Sequence, residues 1–298
     1  MKRLDGVFIP AVTPFDEEER ISPDMLKDNL DQWNLTDVSG YMCLGSNGEF
    51  RMLDDAESLE VIRLFARWKA PEKCLIAGVG RESLYQTKVF IDRVLEEELD
   101  IDYLSVLTPH YFKKLMTDEA LISYYTEIAD FSSLPVLIYC APGFANGLTI
   151  SAEAVKELAD HPNILGIKDT SPDMMETYLD AAGGRDDFSV MSGSVGSMYR
   201  CLKNGGAGAI LSAANYFPQE CAALYQSWKV LPEEEFLEKY GELRALAGQT
   251  GAKNGVAGVK TCMNLLGFQG GRPRRPIFPT KKSMEDDIRQ ALVSSGKL

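Results

Sequence analysis

With 298 residues, 45% of them hydrophobic and 25% charged, the chain has the composition of a soluble globule with room for one large domain or two small ones. Its net charge of -13 argues against nucleic acid and anionic membrane as partners, because neither supplies positive charge to meet it. No run approaches the ~18 apolar residues of a membrane span, and Met1 to Asp5 leads into no apolar signal stretch, so no membrane segment or signal peptide is expected.

Read along the chain, short apolar runs predict strands at Val7 to Thr13, Gly40 to Leu44, Leu75 to Val79, Tyr103 to Leu107, Val136 to Tyr139, Ile164 to Lys168, Ser189 to Ser192 and Ala207 to Ser212. Between them, helical patterns predict helices at Pro23 to Asp37, Asp54 to Lys69, Leu84 to Glu98, Thr117 to Asp130, Ala152 to Ala159, Pro172 to Ala182 and Val195 to Lys203, with Asp118, Ser151 and Ser194 as N-caps. Strands alternating with helices in this number predict an α/β fold, a (β/α)8 TIM barrel over residues 1–225. An open doubly wound sheet fits less well, since no Gly-x-Gly-x-x-Gly follows the first strand. Further helical patterns, Pro218 to Lys229, Pro232 to Ala247, Val256 to Leu266 and Met284 to Val293, run past the last strand. Residues 226–298 therefore read as a C-terminal helical extension packed on the barrel.

Barrel chemistry belongs at the C-terminal ends of the strands. There the chain presents Gly45-Ser46-Asn47-Gly48-Glu49, Thr108-Pro109-His110-Tyr111, Tyr139-Cys140-Ala141-Pro142-Gly143, Lys168-Asp169, Ser192-Gly193-Ser194 and Ser212-Ala213-Ala214-Asn215. Lys168 is the sharpest signal. Burial at the exit of an apolar strand lowers a lysine's pKa, and a neutral amine attacks carbonyls to form a Schiff base. The alternative is a snorkelling surface lysine or an ion pair with Asp169. The glycines around Ser46-Asn47 let backbone N–H groups approach an anion, although a plain βα turn favours the same residues. Glu49 reads as structural, opening the next helix. Gly205-Gly206-Ala207-Gly208 looks like a phosphate loop, but it precedes its strand and reads better as a helix stop.

Cys43, Cys74, Cys140, Cys201, Cys221 and Cys262 show no paired spacing and read as buried reduced thiols, which predicts a cytoplasmic protein. The only two histidines, His110 and His161, lack ligand-spaced neighbours, so neither a metal nor another cofactor is expected.

In order and spacing, Gly45-Ser46-Asn47-Gly48-Glu49-Phe50, Thr108-Pro109-His110-Tyr111, Tyr139-Cys140-Ala141-Pro142 and Gly166-Ile167-Lys168-Asp169 resemble the pyruvate-dependent class I aldolases of the dihydrodipicolinate synthase / N-acetylneuraminate lyase family. Ser46-Asn47-Gly48-Glu49-Phe50 and the segment from Pro135 to Ile150 look most like 4-hydroxy-2-oxoglutarate aldolases. The resemblance implies Lys168 as the Schiff-base lysine and Tyr139 as its general acid/base. Ser46 and Tyr111 would complete a proton relay, Tyr111 reaching in from a neighbouring subunit of a dimer or homotetramer. Ser46 and Asn47 would hold the keto-acid carboxylate, helped by backbone at Gly193 and Ile210. The implied partners are a keto acid, an aldehyde and other copies of the chain.

One departure separates the chain from dihydrodipicolinate synthases, which carry an arginine soon after the Tyr-x-x-Pro-Gly segment. Phe144 occupies that place, and no arginine follows until Arg185. Sialic acid lyases usually have Ser-Thr where this chain has Ser46-Asn47. The remaining alternatives are condensation of pyruvate with aspartate semialdehyde, a sugar-acid lyase or dehydratase, and a non-catalytic barrel that binds a keto acid.

Overall fold

A computed structural model describes residues 2–298. Its strands are β1 (Gly6–Pro10), β2 (Gly40–Cys43), β3 (Cys74–Gly78), β4 (Tyr103–Leu107), β5 (Val136–Cys140), β6 (Ile164–Asp169), β7 (Ser189–Ser192) and β8 (Gly208–Ile210). They form one closed barrel in chain order, as the (β/α)8 reading requires. The pairings of β1 with β2 and of each successive pair from β3 to β8 are parallel. Strands covered on both faces read as continuous apolar runs rather than alternating ones, which is why they were visible in the sequence.

The helices are α1 (Pro23–Trp33), α2 (Asp55–Trp68), α3 (Leu84–Glu96), α4 (Asp118–Phe131), α5 (Ala152–Ala159), α6 (Met175–Ala182), α7 (Val195–Lys203), α8 (Pro218–Val230), α9 (Glu233–Gln249), α10 (Gly255–Leu265) and α11 (Lys282–Ser294). Ser151 and Ser194 cap α5 and α7 as expected. Asp118 does not cap α4. The Thr117 side chain accepts from the Ala120 amide, leaving Asp118 in the first turn, where its charge favours the helix dipole. Helix α1 stops at Trp33, short of Asp37, as the Thr36 hydroxyl takes the Trp33 carbonyl. Helix α6 starts at Met175 rather than Pro172, because the Ser171 hydroxyl engages Asp169 and the Met174 amide in the preceding turn.

By internal contacts the chain divides into two compact units. The first is Cys74–Ile210, with the N-terminal segment through Asp5. Within it, the buried Asp102 carboxylate accepts from the Leu75 amide at 3.0 Å and from Lys2 Nζ at 3.4 Å. The glycine run after α7 is a helix stop here: Gly205 is left-handed, and the Gly206 amide donates to Cys201 O at 2.8 Å. The second unit comprises Gly6–Lys73 and Leu211–Leu298. At its centre the fully buried Asn215 accepts from the Val12 amide at 3.1 Å and donates to the Pro10 and Ser212 carbonyls. Its own carbonyl accepts from Trp33 Nε1 at 3.1 Å.

Candidate active site

Lys168 ends an apolar strand, and the register of β4 to β8 decides what surrounds it. Tyr139 pairs with Lys168 across β5 and β6, and Met191 pairs with it from β7. Leu107 pairs with Tyr139 from β4. Parallel strands in register point these side chains to one face, so the ammonium stands among a phenol ring, a thioether and an isobutyl group. Its Nζ lies 4.2 Å from the centroid of the Tyr139 ring. Lys168 is 3% exposed, and this burial pulls its pKa down to about 7, against 10.5 for a free lysine. About half of the side chain is then the neutral amine near neutral pH, the form that attacks carbonyl carbon.

The next residue of each strand faces the other way. Asp169 accepts from the Ser171 amide at 2.9 Å and from its hydroxyl at 2.7 Å, and its own burial raises the carboxyl pKa. Cys140 Sγ lies 3.4 Å from the hydroxyl of Tyr178 on α6. Asp169 thus belongs to the strand–helix layer rather than to the layer of Lys168.

Several other predicted residues lie in the same unit. The Gly193 amide donates to Asp169 O at 2.6 Å, and a Cβ there would stand 2.7 Å from that oxygen, so only glycine fits. Ile210 ends β8 fully buried. Tyr111 is 76% exposed and packs edge-on against Phe112, with ring centroids 5.0 Å apart. The Glu82 carboxylate accepts from the amides of His110 and Tyr111 at 2.9 and 3.0 Å, which fixes this loop's backbone. Within its own chain, then, Tyr111 points outward, unlike the buried Tyr139. Phe144 is also exposed. A cation does meet its loop: Lys113 Nζ donates to Gly147 O at 3.2 Å. Lys113 carries no signal in the sequence, and Thr108 stands there as a strand-end residue with no role of its own. The fully buried Thr108 hydroxyl has no hydrogen-bond partner among the described residues, and its amide donates to Tyr139 O at 3.2 Å.

The Gly45–Glu49 turn lies in the second unit, between two left-handed residues that are not glycine, Leu44 (φ 56°) and Glu49 (φ 53°). Such conformations cost on the order of 1–3 kcal/mol each and persist only where the surroundings hold them. The hold is visible. Asn47 Nδ2 donates to Ser212 Oγ at 2.8 Å, and Thr13 Oγ1 donates to Gly48 O at 2.8 Å. A Cβ on Gly48 would press on Ala11 O and on the Leu44 amide, each at 3.2 Å. Glu49 does not open α2. It precedes a short 3-10 turn at Phe50–Met52, and Asp54 supplies the helix cap with a complete capping box. Ser212 is a further residue that sequence reading left at a strand end without a role.

Among the described residues, no group of three or more His, Cys, Asp or Glu side chains is placed to hold a metal ion.

The model of the dihydrodipicolinate synthetase family matches residues 3–295. The chain is 29% identical to a probable mitochondrial 4-hydroxy-2-oxoglutarate aldolase of Emericella nidulans, over 99% of this chain and 96% of that one. It is 30% identical to a 4-hydroxy-tetrahydrodipicolinate synthase of Caldicellulosiruptor saccharolyticus, over 99% and 98%. Among solved structures, a monomeric dihydrodipicolinate synthase variant superposes with a TM-score of 0.91 at 25% identity, covering 99% of this chain and 98% of that one. The dihydrodipicolinate synthase of Thermotoga maritima shares the fold, with a TM-score of 0.89 at 24% identity over 99% of both chains.

Proposed function

Since the chain belongs to the dihydrodipicolinate synthetase family, we propose that it is a Schiff-base aldolase that cleaves 4-hydroxy-2-oxoglutarate to pyruvate and glyoxylate, or joins the two. The observation that carries this reading is the buried, low-pKa Lys168 in register with Tyr139. The neutral amine attacks C2 of the keto acid, and loss of water leaves a protonated imine. The bond between C3 and C4 then breaks, its electrons passing into the imine to form an enamine. Tyr139 gives its phenol proton to the departing water, and the phenolate left behind takes the proton of the C4 hydroxyl as glyoxylate leaves. Protonation at C3 and hydrolysis release pyruvate and restore Lys168. This chemistry needs no metal and no cofactor.

Ser46 and Tyr111 complete the proton relay in this reading, and Ser46 and Asn47, with backbone at Gly193 and Ile210, hold the pyruvoyl carboxylate. Tyr111 does so for a neighbouring copy in a dimer or homotetramer; its outward position, beside the exposed Phe112 and Leu115, supports this. We assign the chain to the cytoplasm on its six buried, unbridged cysteines. Among the described residues no helix is long and apolar enough to cross a membrane.

A second reading, pyruvate with aspartate semialdehyde, draws support from the 30% identical synthase. Phe144 weighs against it, because losing a charge-assisted carboxylate contact costs about 1.5–3 kcal/mol, roughly ten- to hundredfold in kcat/KM. Comparing kcat/KM for glyoxylate and aspartate semialdehyde, each with pyruvate, tests the choice. Glyoxylate is expected to lead by at least about tenfold. A preference for aspartate semialdehyde would give the protein the synthase reaction instead.

A further inference from the structure

The Gly45–Glu49 turn is tied to the C-terminal extension by a buried ion pair. Glu49 Oε1 lies 2.6 Å from Lys260 Nζ on α10, and both side chains are 1% exposed. Lys260 Nζ also donates to the carbonyls of Thr13 and Arg272, each at 2.8 Å, which fixes where its ammonium stands. The second Glu49 oxygen accepts from the Arg274 amide at 2.8 Å. The Arg274 guanidinium in turn grips Glu57 at 2.7 and 2.8 Å and the Met52 carbonyl at 2.7 Å, bracketing the chain just past the turn.

We propose that Glu49 and Lys260 act as a positioning clamp, through which α10 and the segment at Arg272–Arg274 hold the Ser46-Asn47 turn in the geometry that receives the keto-acid carboxylate. The clamp rests on the reading above, in which Ser46 and Asn47 take that carboxylate. A buried ion pair adds little net stability over an apolar pair of the same volume, because desolvation offsets the attraction. What this pair does supply is location. Glu49 is left-handed and two residues from Asn47, so a shift of its carboxylate turns the backbone that carries Asn47. Burial lowers the Lys260 pKa to about 8, so most of this amine is still protonated at pH 7.

The test measures kcat and the KM of each substrate at pH 7, in the condensation direction, for the full chain and for Lys260→Met, the double variant Glu49→Gln/Lys260→Met, and Glu49→Asp. Thermal melting and borohydride trapping of pyruvate accompany the kinetics. The clamp requires the KM for pyruvate to rise about ten- to hundredfold while kcat stays within about threefold and the KM for the aldehyde is unmoved. The double variant leaves no unpaired buried charge; it should melt near the wild type and still carry the raised KM. A folded double variant whose KM for pyruvate is within about twofold of wild type overturns the clamp. Should both methionine variants fail to fold, Glu49→Asp, which keeps both charges and shortens the reach by one methylene, decides on the same split. Failure of the parent reading looks different: the wild type itself then forms no pyruvate adduct on Lys168.

Discussion

Replacing Lys168 with methionine removes turnover, by roughly 10⁴–10⁶-fold as for loss of a covalent nucleophile, and makes the folded protein more stable. The two effects share one cause. In the unfolded chain the amine titrates at its ordinary 10.5, and in the fold at about 7. Between those values the unfolded chain binds more protons, so this residue's contribution to stability rises with pH across that window and is least favourable at pH 7 and below. The penalty there is on the order of 3–5 kcal/mol. Methionine has nearly the same length, carries no charge and suits the company of Tyr139 and Met191, so the variant should melt several degrees higher at pH 7. Scanning calorimetry and a pyruvate-release assay measure the two halves. A variant that melts lower than the wild type would contradict the burial argument, and one that keeps its rate would contradict the chemistry.

Tyr139→Phe should lower kcat by about 10²–10⁴-fold, the range for a positioned proton-transfer group, with little change in melting temperature. The ring packs over the amine at 4.2 Å and survives the substitution; only the hydroxyl goes. Imine formation at Lys168 should persist at a reduced rate, which separates loss of proton transfer from loss of the nucleophile. Steady-state kinetics together with trapping of the adduct read both. A near-normal kcat would take Tyr139 out of the mechanism.

Why some of this could be read from residues alone is a matter of range. Strands such as Ile164–Asp169 and Val136–Cys140 lie between helices and barrel interior, so burial writes an uninterrupted apolar run into local sequence. Lys168 stands out because an ammonium at the end of such a run is costly to bury and seldom sits there without a chemical use. Helix starts were less legible: Thr117 and Asp118 are both good capping residues, and only the path of the chain decides between them. The environment of the Ser46-Asn47 turn was not legible at all. Glu49 follows a turn and precedes an apolar residue, which locally describes the start of a helix. Its partner Lys260 lies far along the chain inside an otherwise ordinary helical pattern, and no periodicity links the two. Ser212 likewise looks like a strand-end hydroxyl until the fold brings Asn47 to it. Tyr111 is a partial case, since its sequence position marks a strand end but its outward direction does not follow from composition.

The most direct measurement mixes the protein with pyruvate and borohydride at several pH values and locates the reduced adduct by peptide mass spectrometry. The account predicts one adduct, on Lys168, with a rate of imine formation that climbs through pH 7 as the buried amine loses its proton and levels off above it. An unmodified Lys168, or an adduct on another lysine, would contradict it.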